Sequence, residues 1–135
     1  MVRDMARGTA TALVLVAALT LLAACQSTST KVDPESLRGG ETRATMSPLY
    51  FNGPTADAYS AARKIPEVLD SLYCYCDCAK HSGHKSLLSC YVDTHAAYCD
   101  VCIDEALMAK ALHDRGAKVT VIRKAVDERF SGMQH

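Results

Sequence analysis

Residues 74–102 read CYCDCAKHSGHKSLLSCYVDTHAAYCDVC, and this stretch of 29 residues holds six of the seven cysteines in a chain of 135. A folded part of about 80 residues buries little apolar surface, so such domains commonly need a metal ion or disulfides as well. The cysteines available for either role are Cys74, Cys76, Cys78, Cys90, Cys99 and Cys102.

Apolar residues recur at helical spacing after this stretch. The strongest pattern covers residues 100–114, and Gly116 is placed to end that helix. Its predicted apolar stripe consists of Ile103, Leu107, Met108, Ala111 and Leu112. Steps of three and four residues from Val119 to Phe130 predict a further helix.

Shorter helices are predicted before and within the cysteine stretch. Thr55 is expected to cap a helix that runs to Lys64, and Pro66 begins a second one that runs to Tyr73. Residues 84–92 also show helical spacing. Since no pair of segments alternates as strands would, we expect an all-α fold: a small cysteine-rich helical domain over residues 49–131, after a flexible N-terminal tether.

The N-terminus has the features of an export signal. Arg3 and Arg7 precede an apolar, uncharged run over residues 9–24, which is too short for a comfortable membrane span. The last residues of this run and Cys25 read Leu-Ala-Ala-Cys, which resembles the lipobox of bacterial lipoproteins. We therefore expect residues 1–24 to be a lipoprotein signal peptide and Cys25 to carry the lipid.

Residues 25–48 are rich in Ser, Thr, Gly and charge, and we expect a flexible, lipid-anchored linker. It would hold the domain on the extracytoplasmic side of the cell envelope, on the outer membrane where there are two membranes.

The sequence has 15 Lys and Arg residues and 15 Asp and Glu residues, and this balanced charge argues against nucleic-acid binding. The expected partners are the membrane, through lipidated Cys25, and a metal ion; the sequence does not identify a protein partner.

The cysteine spacing predicts two arms that converge. Cys74, Cys76 and Cys78 would point the same way in extended or looped backbone, whereas Cys99 and Cys102 would share one face of a helix. A helix that began before His95 would add its imidazole to the second face. His81 and His84 lie in the loop-like segment KHSGHK and are expected at the solvated surface.

Thiolate and imidazole ligands at this density suit Cu(I) or Zn(II). The predicted metal ligands are Cys74, Cys76, Cys78, Cys90, Cys99, Cys102 and His95. Six thiolates exceed the four that a tetrahedral zinc needs, which indicates a cluster or a transferable ion. Cu(I) is favoured outside the cytoplasm because it binds thiolates tightly and protects them from oxidation.

Two alternatives remain open. In the first, Cys99 and Cys102, or two cysteines of the CYCDC segment, form the active pair of a thiol–disulfide or peroxide-reducing protein. In the second, disulfides or one zinc ion only staple a small exported domain. No catalytic triad, carboxylate pair or cofactor loop is apparent, so a role without catalysis is favoured, and any enzyme activity would be thiol-based oxidoreduction.

The segments CYCDC (74–78), GHKSLLSC (83–90), HAAYCDVC (95–102) and IRKAVDERF (122–130) together resemble the CYCXC, or PCYCGC-motif, family of bacterial lipoproteins. The resemblance covers about residues 60–130. Some relatives carry selenocysteine in place of a motif cysteine, which implies that a reactive chalcogen matters, but the family implies no settled activity. This chain has Tyr73 where the motif has Pro and Asp77 where Gly is common. The Asp77 carboxylate would raise thiol pKa values or add an oxygen ligand.

Overall fold

Residues 34–133 are described in the computed structural model, and every regular element among them is helical. The α-helices are α1 (Gly53–Lys64), α2 (Pro66–Asp70), α3 (Cys78–His81), α4 (Asp100–Asp114) and α5 (Val119–Phe130). Single 3₁₀ segments are Pro34–Leu37, Pro48–Tyr50, Leu87–Tyr91, His95–Tyr98 and Ser131–Met133. The predicted all-α class is confirmed. Cys25 and the predicted signal peptide over residues 1–24 lie outside the described residues.

Helix α4 packs against both α1 and α5 and lies at the centre of the fold. The apolar face predicted for α5 is confirmed, since Ile122, Val126 and Phe130 are all buried. On α1, Ala58 and Ala62 are buried beside Tyr59, and their small side chains allow close approach of a neighbouring helix.

The stripe predicted for α4 is wrong in its orientation. Ile103 is buried, but Leu107, Met108 and Leu112 are only half-buried, and Ala111 is exposed. The buried face is centred instead on Cys102, Glu105, Ala106 and Ala109. Hydropathy alone predicted that the larger apolar residues would be buried. The fold instead buries Ala106 and Ala109, which permit tight packing, together with Cys102 and Glu105, which lie at the cysteine cluster.

The predicted end of α4 is confirmed. Gly116 has a φ of +80°, and its N–H donates to the carbonyl of His113 at 2.8 Å. The N–H of Ala117 donates to Leu112 at 3.1 Å, which completes the glycine-terminated capping pattern. By contrast, α1 begins at Gly53, before the predicted cap at Thr55, because Pro54 favours the first helical turn.

Two predicted helices are shorter than their patterns indicated. Helix α2 ends at Asp70: the N–H of Leu72 donates to the carbonyl of Leu69 in a tighter turn, and the carbonyl of Leu72 accepts a hydrogen bond from the N–H of Leu87. Residues 84–92 contain only the 3₁₀ helix Leu87–Tyr91, and all of its residues are buried. A segment buried on every side has no solvent face, so the amphipathic prediction did not apply to it.

The packed domain begins earlier than the predicted boundary at Leu49. We call residues 38–46 the N-terminal strap. Gly39 donates from its N–H to the carbonyl of Asp70 at 2.8 Å, and Met46 donates to Tyr91 at 2.8 Å. This part of the predicted linker is therefore fixed to the domain, because its backbone finds partners there that composition does not reveal.

Two buried carboxylates hold the strap in place. The carboxylate of Asp70 accepts hydrogen bonds from Arg38 Nε, from the N–H groups of Gly40 and Glu41, and from Ser86 Oγ. Glu41 in turn accepts a hydrogen bond from Ser89 Oγ at 2.7 Å. The strap thus contacts the segment that carries Cys90.

Among the described residues, no helix is long and apolar enough to cross a bilayer.

Candidate metal centre

The CYCDC segment forms a tight turn that brings its three sulfurs together, as predicted. The N–H of Asp77 donates back to the carbonyl of Cys74 at 3.2 Å. The sulfur of Cys76 lies 3.2 Å from that of Cys74 and 2.9 Å from that of Cys78. Asp77 has a φ of +58°, so the turn passes through left-handed backbone before α3 begins.

The second arm converges on the first, which confirms the predicted common pocket. Cys102 lies in the first turn of α4, with its sulfur 3.5 Å from Cys74 and 3.3 Å from Cys76. The sulfur of Cys90 lies 3.4 Å from that of Cys74. The Tyr91 hydroxyl donates to the carbonyl of Cys102 at 2.6 Å and fixes the start of α4 in this position.

The six cysteines of the described residues are all free thiols. Cys74, Cys78, Cys90 and Cys102 are buried, whereas Cys76 and Cys99 are partly exposed. The cluster therefore has a buried interior and one edge that solvent reaches.

Two histidines contact the sulfurs. His95 Nε2 lies 3.0 Å from Cys78 Sγ, and His84 Nδ1 lies 3.1 Å from Cys90 Sγ. Their rings pack edge to face with centroids 4.7 Å apart. The surface position predicted for His84 is wrong, because burial of Leu87–Tyr91 draws the preceding loop against the cluster. Burial lowers the pKa of His84, which favours the neutral imidazole that binds metals.

The helix that carries Cys102 does not begin before His95, so His95, Cys99 and Cys102 do not form one helical stripe. His95 belongs to the separate 3₁₀ helix His95–Tyr98, and Cys99 has extended backbone at the N-cap of α4. This break turns the His95 ring toward Cys78 on the other arm. His81 is exposed, as predicted.

Contacts between the thiols, together with burial, shift their pKa values in opposite directions. A hydrogen bond with Cys102 lowers the pKa of Cys76 to about 6, and contact with Cys102 also lowers the pKa of Cys74. Burial raises the pKa of Cys78, and contacts with Cys74 and Cys76 raise that of Cys102. Cys74 and Cys76 are therefore the sulfurs that ionise first, with neighbouring thiols as donors.

Glu105 is a buried residue of the site that the sequence analysis did not identify. Its Oε1 accepts a hydrogen bond from the N–H of Tyr75 at 2.9 Å, while its Oε2 has no partner among the described residues. Burial raises the pKa of Glu105 to about 9. The one signal in the sequence was its position, a single helical turn after Cys102.

Asp77 does not contribute to the sulfur cluster. Its carboxylate accepts hydrogen bonds from the Tyr73 hydroxyl at 2.9 Å and from Lys80 Nζ at 3.0 Å. Its side chain supports the turn of the CYCDC segment and is outside the groups of residues that fit a metal ion.

Three groups of side chains place one ligand atom each within 4.8 Å of one another. The buried group is Cys74, Cys78, Cys90 and Cys102. The histidine group is Cys76, Cys78 and His95, and the edge group is Cys76, Cys99 and Cys102. Every predicted ligand thus belongs to at least one group. Sulfur and imidazole donors fit soft or borderline ions, so a metal can be held here.

An all-helical domain with six converging thiols defines a class of small, cysteine-rich proteins. A family profile described as "Protein of unknown function with PCYCGC motif" matches residues 13–133. The chain therefore belongs to the PCYCGC-motif family, which confirms the resemblance found in its sequence. No curated protein and no solved structure matches the chain.

The structure explains one position of the family motif. The motif glycine corresponds to Asp77, whose φ of +58° lies in the region that glycine adopts most easily. Aspartate is among the few other residues that tolerate this backbone, and here its side chain gains two hydrogen bonds. The departure from the motif therefore keeps the turn that gathers the sulfurs.

Proposed function

We propose that this protein binds soft, thiophilic metal ions at its cysteine cluster, on the extracytoplasmic side of a membrane. The observation that carries the proposal is the buried group, in which four thiols without disulfides lie within 4.8 Å of one another. Thiolates around a tetrahedral ion are about 3.8 Å apart when the metal–sulfur bond is about 2.3 Å. The sulfur separations of 3.5 Å for Cys74–Cys102 and 3.4 Å for Cys74–Cys90 are close to that value.

Cu(I) is the proposed ion, with Zn(II) as the other candidate. Both accept thiolate and imidazole ligands. Cu(I) also forms stable complexes with only two or three thiolates, so it can use the smaller histidine and edge groups. The excess of thiols over a single tetrahedral site favours Cu(I) handling over one structural zinc ion.

The location is proposed from the N-terminal sequence alone. The basic start, the apolar run over residues 9–24 and the Leu-Ala-Ala-Cys motif support export and lipid attachment at Cys25. Radiolabelled fatty acid should label the wild-type chain in cells and should not label the Cys25→Ser variant. Labelling of both chains, or of neither, would contradict the lipid anchor.

A thiol–disulfide function is the second candidate, and the contact between Cys76 and Cys78 favours it. Their sulfurs are 2.9 Å apart, and Cys76 is partly exposed with a pKa lowered to about 6 by its hydrogen bond with Cys102. Oxidation of this pair would pass two electrons and two protons to a partner disulfide, which would become two thiols. The pair Cys99–Cys102, which the sequence also suggested, has its sulfurs within 4.8 Å of each other in the edge group, with Cys99 partly exposed.

The deciding experiment measures metal uptake and thiol state on the same sample. The full chain carrying Cys25→Ser is purified without oxygen in mild detergent, so that six thiols remain. Cu(I) and Zn(II) are titrated separately against a competing chelator, and bound metal and reactive thiols are counted. We expect tight Cu(I) uptake with loss of thiol reactivity.

Variants separate the two candidate functions. His95→Ala should weaken Cu(I) binding, whereas the exposed control His81→Ala should not. Six reactive thiols that take up neither ion would overturn metal binding. A reduction rate toward a disulfide substrate that Cys76→Ser abolishes, without metal uptake, would establish the redox alternative instead.

A further inference from the structure

The three ligand groups of the cluster are linked in a closed pattern. The buried and histidine groups share Cys78, the buried and edge groups share Cys102, and the histidine and edge groups share Cys76. Each pair of groups therefore has one cysteine in common, and each of these cysteines belongs to two groups. A thiolate sulfur has enough lone pairs to bind two soft ions at once, so shared cysteines are suited to bridge.

On the basis of the proposed function, we infer that the cluster holds three Cu(I) ions in a ring bridged by the sulfurs of Cys76, Cys78 and Cys102. Each of the three groups binds one ion. Cys74 and Cys90 complete the ion of the buried group, His95 completes the second ion, and Cys99 completes the third.

A single ion does not account for the arrangement. An ion in the buried group leaves Cys76 and Cys99 without a metal, although Cys76 Sγ lies 2.9 Å from Cys78 and 3.3 Å from Cys102. Among residues 34–133, Cys99 lies close enough to other candidate ligands to share an ion only with Cys76 and Cys102. A second ion near this edge therefore has to share a sulfur with the first.

The number of ligands at each position favours Cu(I) over zinc. Two of the three groups offer three ligands each, which Cu(I) accepts, whereas a tetrahedral zinc would need a fourth. The buried group alone offers four thiolates. We therefore expect the chain to bind three Cu(I) ions but only one Zn(II) ion with high affinity.

Loading requires small movements of the bridging sulfurs. The separations of 2.9 Å and 3.3 Å around Cys76 have to increase to about 3.8 Å, the distance between thiolates on one ion. Cys76 and Cys99 lie at the partly exposed edge, where rotation of a side chain is least hindered. The expansion therefore falls on the residues that have room to move.

Burial predicts that the three ions differ in how readily they leave. All four ligands of the buried group are shielded, whereas the non-shared ligands of the other groups, His95 and Cys99, are both partly exposed. A chelator should remove two Cu(I) ions in a fast phase and the third at least tenfold more slowly.

The test counts ions by native mass spectrometry. The full chain carrying Cys25→Ser is loaded without oxygen with Cu(I) under a competing chelator, and with Zn(II) in a parallel sample. We expect saturation at three Cu(I) ions. Saturation at one or two Cu(I) ions, or three Zn(II) ions with fewer Cu(I), overturns the ring, whereas no uptake of either ion overturns the proposed function itself.

Matched serine variants identify the bridges. Cys76 and Cys99 are both partly exposed members of the edge group, but only Cys76 is shared. Under the competing chelator, Cys99→Ser should therefore lose one Cu(I) ion, because the two thiolates left at that position hold it less tightly than three do, whereas Cys76→Ser should lose two. Equal losses in the two variants would show that Cys76 does not bridge.

Further variants keep the test independent of folding defects. His95→Ala should bind two ions, and the double variant Cys99→Ser/His95→Ala should bind one while it retains Cys76. The exposed control His81→Ala should bind three. Circular dichroism of each metal-free variant verifies the fold, and a folded double variant that still binds three ions overturns the assignment.

Discussion

Glu105→Gln is predicted to remove a large pH dependence from the stability of the metal-free protein. Glu105 is fully buried, and burial raises its pKa from 4.5 to about 9. Glutamine has the same shape and keeps the carbonyl oxygen that accepts from the N–H of Tyr75, but it cannot ionise. The variant therefore isolates the free energy of keeping this carboxyl group in the interior.

The magnitude follows from the difference in proton binding. Between pH 4.5 and about 9 the folded protein keeps a proton that the unfolded chain has lost, so stability falls as pH rises. The slope is about 1.4 kcal/mol per pH unit, which accumulates to about 3 kcal/mol at pH 7. Below pH 4.5 the carboxyl is protonated in both states, and this contribution disappears.

The assay is urea unfolding followed by circular dichroism at pH 5, 7 and 8.5, with reductant and chelator present. The stability gained by Glu105→Gln should grow from less than about 1 kcal/mol at pH 5 to about 3 kcal/mol at pH 7, and further at pH 8.5. The exposed substitution Glu128→Gln serves as the control and should give a flat difference. A difference for Glu105→Gln that is equally flat would refute the reasoning.

The remaining predictions concern the strap and the CYCDC turn. Asp70→Ala should destabilise the domain by about 3–5 kcal/mol in urea unfolding, because it leaves two buried donors, the Glu41 N–H and the Ser86 hydroxyl, without their acceptor. A loss below about 1 kcal/mol would show that the strap is dispensable. A hydrogen bond with Arg43 lowers the pKa of Glu41, so stability from this carboxylate is present above the unfolded pKa of 4.5 and is lost as pH falls. Glu41→Gln should therefore flatten the acid limb of the stability curve, and an unchanged limb would argue against it. Gly39→Ala would place a Cβ 2.5 Å from the carbonyl oxygen of Lys85, so the melting temperature should fall, and an unchanged value would mean that the strap shifts freely. Asp77→Ala should be less stable than Asp77→Gly by about 1 kcal/mol in urea unfolding. Both variants lose the side-chain hydrogen bonds of Asp77, but only alanine keeps the energetic cost of left-handed backbone at this position. The opposite order of stability would contradict this reasoning.

The strap and the candidate cluster show why long-range packing was hard to predict. Glu41 and Ser89 are 48 residues apart in sequence, and a composition typical of a linker gives no sign that they share a buried hydrogen bond. His84 likewise reads as a loop residue, and only the burial of the neighbouring Leu87–Tyr91 segment places its ring on Cys90. Neither contact has a local signature.

The amino-acid sequence was sufficient to predict the helices that depend on local interactions and the cysteines that converge in the cluster. The extent of α4, its end at Gly116 and the apolar face of α5 follow from periodicity and from the backbone freedom of glycine, which act within a few residues. The tertiary structure alone decided which face of α4 is buried, which histidines meet the thiols and which cysteines are shared between ligand groups. These outcomes depend on contacts between distant segments, and a pattern along the chain does not contain the distances that such contacts require.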